Sequence, residues 1–214
     1  MKRLVILLSI FLVVASCSSQ TSFQRRADKD YQIHRSEFDQ KLVEHFPDHI
    51  EGSASTIVSG ANLRKNEVGL LLYEYDVSKS LLKKIKKQAT RLGVARYSVE
   101  DSCLFIVNRF ETMKTRENYE TVTAIDSIEA NKLCYQNYYP VPNFIAVDKP
   151  EKNTALKLNK TYTIYVFGAE SGNHFKEYKL GPNPQMPESW KNGYSKGVAI
   201  SEAEGTVIYW GIIW

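Results

Sequence analysis

The feature that most restricts the fold is the stretch Thr206 to Trp214. Read as a strand, it is apolar on both faces: Val207, Tyr209 and Ile213 on one, Ile208, Trp210, Ile212 and Trp214 on the other. Strand side chains alternate between faces, so a half-solvated strand alternates apolar with polar. One that is apolar on both sides must be covered on both sides. Gly197 to Ser201 precedes it, and Glu202-Ala203-Glu204-Gly205 between them reads as the turn of a hairpin. The expectation is a sheet whose core contains this C-terminal hairpin.

The other segments supply the rest of an α+β domain. Glu67 to Val77 predicts a strand and Thr56 to Ser59 a short one. Thr161 to Phe167 alternates Tyr162, Ile164 and Val166 against Thr161, Thr163 and Tyr165. Gly168 to Asn173 then reads as a turn and Phe175 to Leu180 as the returning strand. Ser80 to Leu92 predicts a helix, with Leu81, Leu82, Ile85, Ala89 and Leu92 on one stripe, Ser80 as its cap and Gly93 at its end. Val94 to Val99 and Ser102 to Phe110 follow as strands, a β-α-β-β order. Ser36 to Phe46 predicts another helix, apolar at Phe38, Leu42, Val43 and Phe46, with Ser36 and Asp39 placed as a capping box and Pro47 as its stop. Glu111 to Asn131 is polar and without clear period. Pro140 and Pro142 make Tyr135 to Phe144 a rigid loop, and three prolines make Gly181 to Pro187 a loop. The sheet is expected to be mixed or mostly antiparallel, with a few helices.

The first seventeen residues read differently from all of this. Lys2 and Arg3 precede an apolar run from Leu4 to Val14, and Val14-Ala15-Ser16-Cys17 closes it. Positive, apolar, then small residues is the order of a secretory signal, and the run is shorter than the ~20 residues of a membrane span. The last four residues resemble the lipobox of bacterial lipoproteins. That resemblance covers residues 1–17 only. It implies cleavage before Cys17, a diacylglycerol on the Cys17 thiol and so a diacylglycerol/fatty acyl anchor on Cys17, and no other cofactor is expected. Ser18, where an Asp would favour retention in the inner membrane, points to the outer membrane if the cell is Gram-negative. The expected organisation is a signal over 1–16, a lipidated Cys and flexible tether over 17–30 reaching roughly 20 Å, and one globular domain over 31–214.

The chain has 214 residues and a formal charge of +4, and losing Lys2 and Arg3 with the signal leaves about +2. So small a charge gives no case for nucleic acid, and export argues against it. Thirteen Tyr and nine Phe favour strands. With Cys17 acylated, Cys103 and Cys134 are left as one pair in an exported protein, a candidate disulfide. Cys103 falls in the apolar run to Val107, where a buried strand is expected. Two separate buried thiols are the competing account.

Several motifs fail the tests their chemistry sets. Gly193-Tyr194-Ser195-Lys196-Gly197 matches G-x-S-x-G, but no Asp follows Asp148 and no His follows His174, so the acid and base of a nucleophile elbow are missing. Its glycines read as a turn leading into a strand. Ser80-Leu81-Leu82-Lys83 matches the S-x-x-K of penicillin-binding proteins, and Tyr135-Gln136-Asn137 resembles their second motif, yet the K-T-G strand is absent. His45 and His49 have i, i+4 spacing, but Pro47 breaks the helix that would align them, so surface histidines are expected and no metal site. Trp214 resembles the terminal signal of outer-membrane barrels, but the many alternating strands of a barrel are lacking.

Two surfaces stand out as candidates. One is the aromatic loop with Tyr135, Tyr138, Tyr139 and Phe144. The other is the basic helix face of Lys83, Lys84, Lys86, Lys87 and Arg91, which has no acidic residue one turn away. The expected partners are the membrane, through the anchor, and another envelope protein or anionic headgroups. The reading is a lipid-anchored envelope protein with a non-enzymatic binding or scaffolding role. The alternatives are a small-ligand or glycan binder using Tyr138, Tyr139 and the tryptophans as a stacking platform, or an envelope hydrolase.

Overall fold

The computed structural model describes residues 22–50, 52–59, 67–109, 132–144 and 158–214. The lipobox, Cys17, the signal and the segment Glu111 to Asn131 lie outside them. Six strands form one sheet: β1 (Ser53–Ser59), β2 (Val68–Tyr75), β3 (Ala95–Ser98), β4 (Thr163–Ser171), β5 (Gly193–Ser201) and β6 (Thr206–Ile213), in the order β1-β2-β6-β5-β4-β3. Every pairing is antiparallel. The fold is α+β, as the residue pattern implied.

β6 lies inside the sheet, with Leu71 of β2 opposite Trp210 on one side and Val198 of β5 opposite Tyr209 on the other. All eight of its residues are buried. The two apolar stripes read from the sequence separate cleanly: Ile208, Trp210, Ile212 and Trp214 enter one core, and Val207, Tyr209 and Ile213 enter the other. The β5–β6 turn closes at Gly205, whose φ of +63° is the left-handed region glycine adopts without penalty.

Helices cover one face. They are α1 (Ser22–Ser36), α2 (Gln40–Val43) and α3 (Lys79–Leu92). α1 corrects the reading of Ser18 to Asp30 as flexible coil, because from Ser22 onward the segment is helical. Tyr31, fully buried, ties α1 down, its phenol donating to the Pro47 carbonyl at 2.5 Å. The helix expected from Ser36 to Phe46 is broken. α1 ends at Ser36, and Asp39 alone caps the four-residue α2 by accepting from the Lys41 N–H at 2.8 Å. The predicted apolar face survives, since Phe38, Leu42, Val43 and Phe46 are all buried. α2 rests directly on β6: a Cβ on Gly211 would stand 2.7 Å from the Leu42 carbonyl oxygen.

α3 begins one residue before the expected start, and its cap is Ser78, not Ser80; the Ser78 hydroxyl accepts from the Leu81 N–H at 3.3 Å. The Gly93 N–H closes the other end on Ala89 O at 2.8 Å. β2 and β3 lie on either side of α3 in sequence but are separated in the sheet by β6, β5 and β4. The helix therefore crosses the sheet instead of joining neighbours, and it touches β4 and β5.

Irregular chain covers the other face, and two strand readings are overturned, the first on that face and the second on the helix side, where Phe175, Tyr178 and Leu180 pack. Ser102 to Arg109 is a run of turns, with one isolated parallel bridge from Ile106 to Val141. Phe175 to Leu180 does not return as a hairpin; it holds a single 3-10 turn, Lys176–Tyr178. The partner of β4 is β5, and β4 runs on to Ser171 through a bulge between Val166 and Gly168, over the residues read as a turn.

Candidate functional site

The aromatic loop is mostly core. Tyr135 and Phe144 are 6% and 1% exposed, so they are not a partner surface. Leu133–Asn137 coils as a 3-10 turn that stacks Tyr135 on Phe105, centroids 4.9 Å apart. Phe144 meets Trp210 edge to face at 5.6 Å. Tyr138 stacks on Tyr97 at 4.9 Å and donates to Asp101 Oδ2 at 2.7 Å, a bond that raises the phenol pKa. Only Tyr139 keeps an open aromatic surface. Trp210 and Trp214 are likewise core, 0% and 1% exposed, while Trp190 is half-buried against them. Sequence alone could not separate a wet aromatic loop from one folded inward, since both are rich in Tyr and Pro.

Cys103 and Cys134 form a disulfide with Cα atoms 5.8 Å apart. Both are half-buried, and Cys103 sits in a turn, not in the buried strand expected there. The bridge ties the 3-10 turn and its aromatic loop to the segment that packs beneath them.

The hydrolase motifs resolve into structure. Gly193, Ser195 and Gly197 lie within β5, not in a turn before it. Ser195 is fully buried; its hydroxyl donates to Pro140 O at 2.6 Å and accepts from Trp210 Nε1 at 3.3 Å. A nucleophile elbow needs an exposed hydroxyl at a strand-to-helix turn, and Ser195 is neither exposed nor at one. Ser80 is exposed at the α3 start, bonded to Ser78 Oγ at 3.1 Å. Among the described residues no group of three or more His, Cys, Asp or Glu could hold a metal ion.

The basic helix face is intact. Lys83, Lys84, Lys87 and Arg91 are exposed and make no ion pair among the described residues. Lys86 is the exception, pairing with Glu202 of the β5–β6 turn at 2.5 Å. Glu74, which could have neutralised the face, is 3% exposed beneath the helix layer. Lys83, Lys86, Lys87 and Arg91 line an open groove of about 780 Å³ together with Leu82 and Glu202. The like charges are one helical turn apart, so each pair costs α3 a few tenths of a kcal/mol.

One site residue escaped the sequence reading. His45, expected at the surface, is packed in. Its Nε2 lies 3.1 Å from Gly197 O and 3.0 Å from Trp210 O, and its Nδ1 is enclosed without a partner. Burial, aided by the nearby Lys196 charge and opposed by the two carbonyls, pushes its pKa down to about 3. A lone His before Phe-Pro carries no signal of such a contact, which is made across 152 residues of chain.

No known family model, curated protein or solved structure matches the chain. Among the described residues no helix is long and apolar enough to cross a membrane.

Proposed function

We propose that this is a lipid-anchored, non-enzymatic binding protein of a bacterial cell envelope, held by Cys17 and docking the basic face of α3 on the anionic headgroups of the membrane its anchor enters. The observation that carries the reading is the set of exposed cations Lys83, Lys84, Lys87 and Arg91, without ion pairs among the described residues, on one helix that lacks any acidic residue. Charge that repels itself along a helix is offset when an anionic surface faces it, by about 1 kcal/mol for each Lys or Arg near such a surface. The anchor supports the same reading. Ser22, the first residue of α1, is only five residues beyond Cys17. Five residues reach at most ~18 Å, which keeps the domain close to the bilayer.

The test uses the protein purified from membranes and reconstituted in vesicles. Amine acylation read by mass spectrometry should find Lys83, Lys84 and Lys87 protected severalfold in phosphatidylglycerol vesicles compared with pure phosphatidylcholine. Molar salt should remove the protection. Equal labelling in both lipids sinks the headgroup docking. The anchor is tested separately with an alkyne fatty acid, which should mark the wild type and not Cys17→Ser; equal labelling, or none, removes the anchor.

A further inference from the structure

The flank of α3 opposite the basic groove borders a second concavity, a cleft of about 480 Å³. Leu81, Ile85 and Gln88 of α3 form one wall, and the segment Glu44 to His49 forms the other. Val198, Tyr209 and Phe167 add apolar surface from the sheet. The volume is within the usual range of small-molecule sites, about 300–1,000 Å³, and the lining is mixed, with apolar Leu81, Ile85 and Phe46 beside polar Glu44, Lys84 and Gln88.

His45 lines this cleft. Both neighbours of its Nε2 are backbone carbonyl oxygens, which only accept. Nε2 therefore carries the ring proton, and Nδ1 is left as a lone-pair acceptor. That acceptor is enclosed and has no partner among the described residues, an arrangement that is unfavourable for a buried polar atom. The ring is held edge-on between Phe46 and Phe167, with centroids 4.8 and 5.4 Å away. The lowered pKa keeps it neutral. Glu44 is matched with Lys196, Asp48 with Arg35, and His49 with Asp28, and Lys84, which also lines the cleft, is exposed to water. A charge buried beside His45 would have no partner of opposite sign left free at that depth.

We propose that the cleft between α3 and the Glu44–His49 segment is a binding site for a small neutral molecule with an apolar body and a single N–H or O–H donor, the donor bonding to His45 Nδ1. Because Nδ1 is enclosed, the ligand reaches it with a small outward shift of the Glu44–His49 segment. The site shares Lys84 with the basic face and does not depend on the anchor.

The probes are indole and 1-methylindole, which share a body and differ in the donor. They are titrated into the whole protein, carrying nitrogen-15 in its histidines. Indole should bind saturably and move the His45 Nδ1 resonance. 1-Methylindole should bind at least about tenfold more weakly, the worth of one hydrogen bond of ~1.4 kcal/mol. Leu81→Trp, which fills the cleft from a half-buried position without touching His45, should abolish indole binding while the protein melts as a folded domain. Absence of saturable indole binding, equal affinity for the two probes, or indole binding that survives Leu81→Trp overturns the proposal.

Discussion

The two faces of the sheet are covered by opposite means. On one, Tyr31 of α1, Leu42 and Val43 of α2 and the apolar stripe of α3 pack with Leu70, Leu72, Val198 and Val207. On the other, turns and loops from residues 99–109, 132–144 and 183–190 pack over Ile164, Ile208, Trp210 and Ile212. Helices satisfy their own backbone groups. Irregular chain cannot, so its buried N–H and C=O groups need partners from elsewhere. The buried side-chain amides are concentrated on the irregular side. Asn108 donates to Glu67 Oε2 at 2.6 Å, Asn183 to Asn108 Oδ1 at 2.8 Å, and Asn143 to Asn108 O at 2.8 Å. Asn108 holds φ at +51°, a left-handed conformation that Asn tolerates better than most residues. The Trp214 indole donates to Trp190 O at 2.8 Å, and the Tyr139 N–H to the Tyr97 hydroxyl at 2.8 Å. The disulfide lies on this side too. A face without repetitive structure is held by specific polar contacts and a covalent bridge, and the other by periodicity.

That difference can be broken at three points. The largest effect is expected from Trp210→Ala, which empties the irregular-side core at its largest fully buried side chain. Chemical denaturation should show a loss of about 3–5 kcal/mol, as for other buried Trp truncations. A loss below about 1 kcal/mol would mean that the irregular layer collapses freely into the space and is not a packed core.

Next is the double replacement Cys103→Ser with Cys134→Ser. The bridge spans 31 residues of chain, and opening a loop of that size costs about 3–4 kcal/mol in the chain-entropy account. The sharper readout is local. Hydrogen exchange should quicken over residues 132–144 well before α3 is affected; equal quickening on both faces would show that the two layers melt as one unit.

The helix face has its own weak point at His45. Its folded pKa of about 3 lies below the ordinary 6.5, so the unfolded chain binds the extra proton between those values. Stability from this group is complete above pH ~6.5 and declines as pH falls towards 3, by about 2 kcal/mol at pH 5. His45→Gln should flatten that part of the stability profile. Identical profiles for the two proteins would place the acid sensitivity in the carboxylates instead.

Local pattern was enough wherever an element's own periodicity met its environment. β6 announced two buried faces because no half-wet strand can be apolar throughout, and the α3 stripe, its Gly93 end and the β5–β6 hairpin were legible for the same reason. The cationic face of α3 was legible as well, because its spacing depends only on the helix. Tertiary structure decided the rest. Cys103 to Val107 is as apolar as a strand, but it packs across the sheet face in the core with Ile164 and Trp210, as turns, and among the described residues its one bridge is at Ile106. Tyr135 and Phe144 turned inward because Phe105 and Trp210 were there to meet them. His45 found its carbonyls on strands more than 150 residues away. Such contacts depend on which surfaces the sheet order brings together, and a pattern read along the chain holds no information about residues that meet only after the strands have assembled.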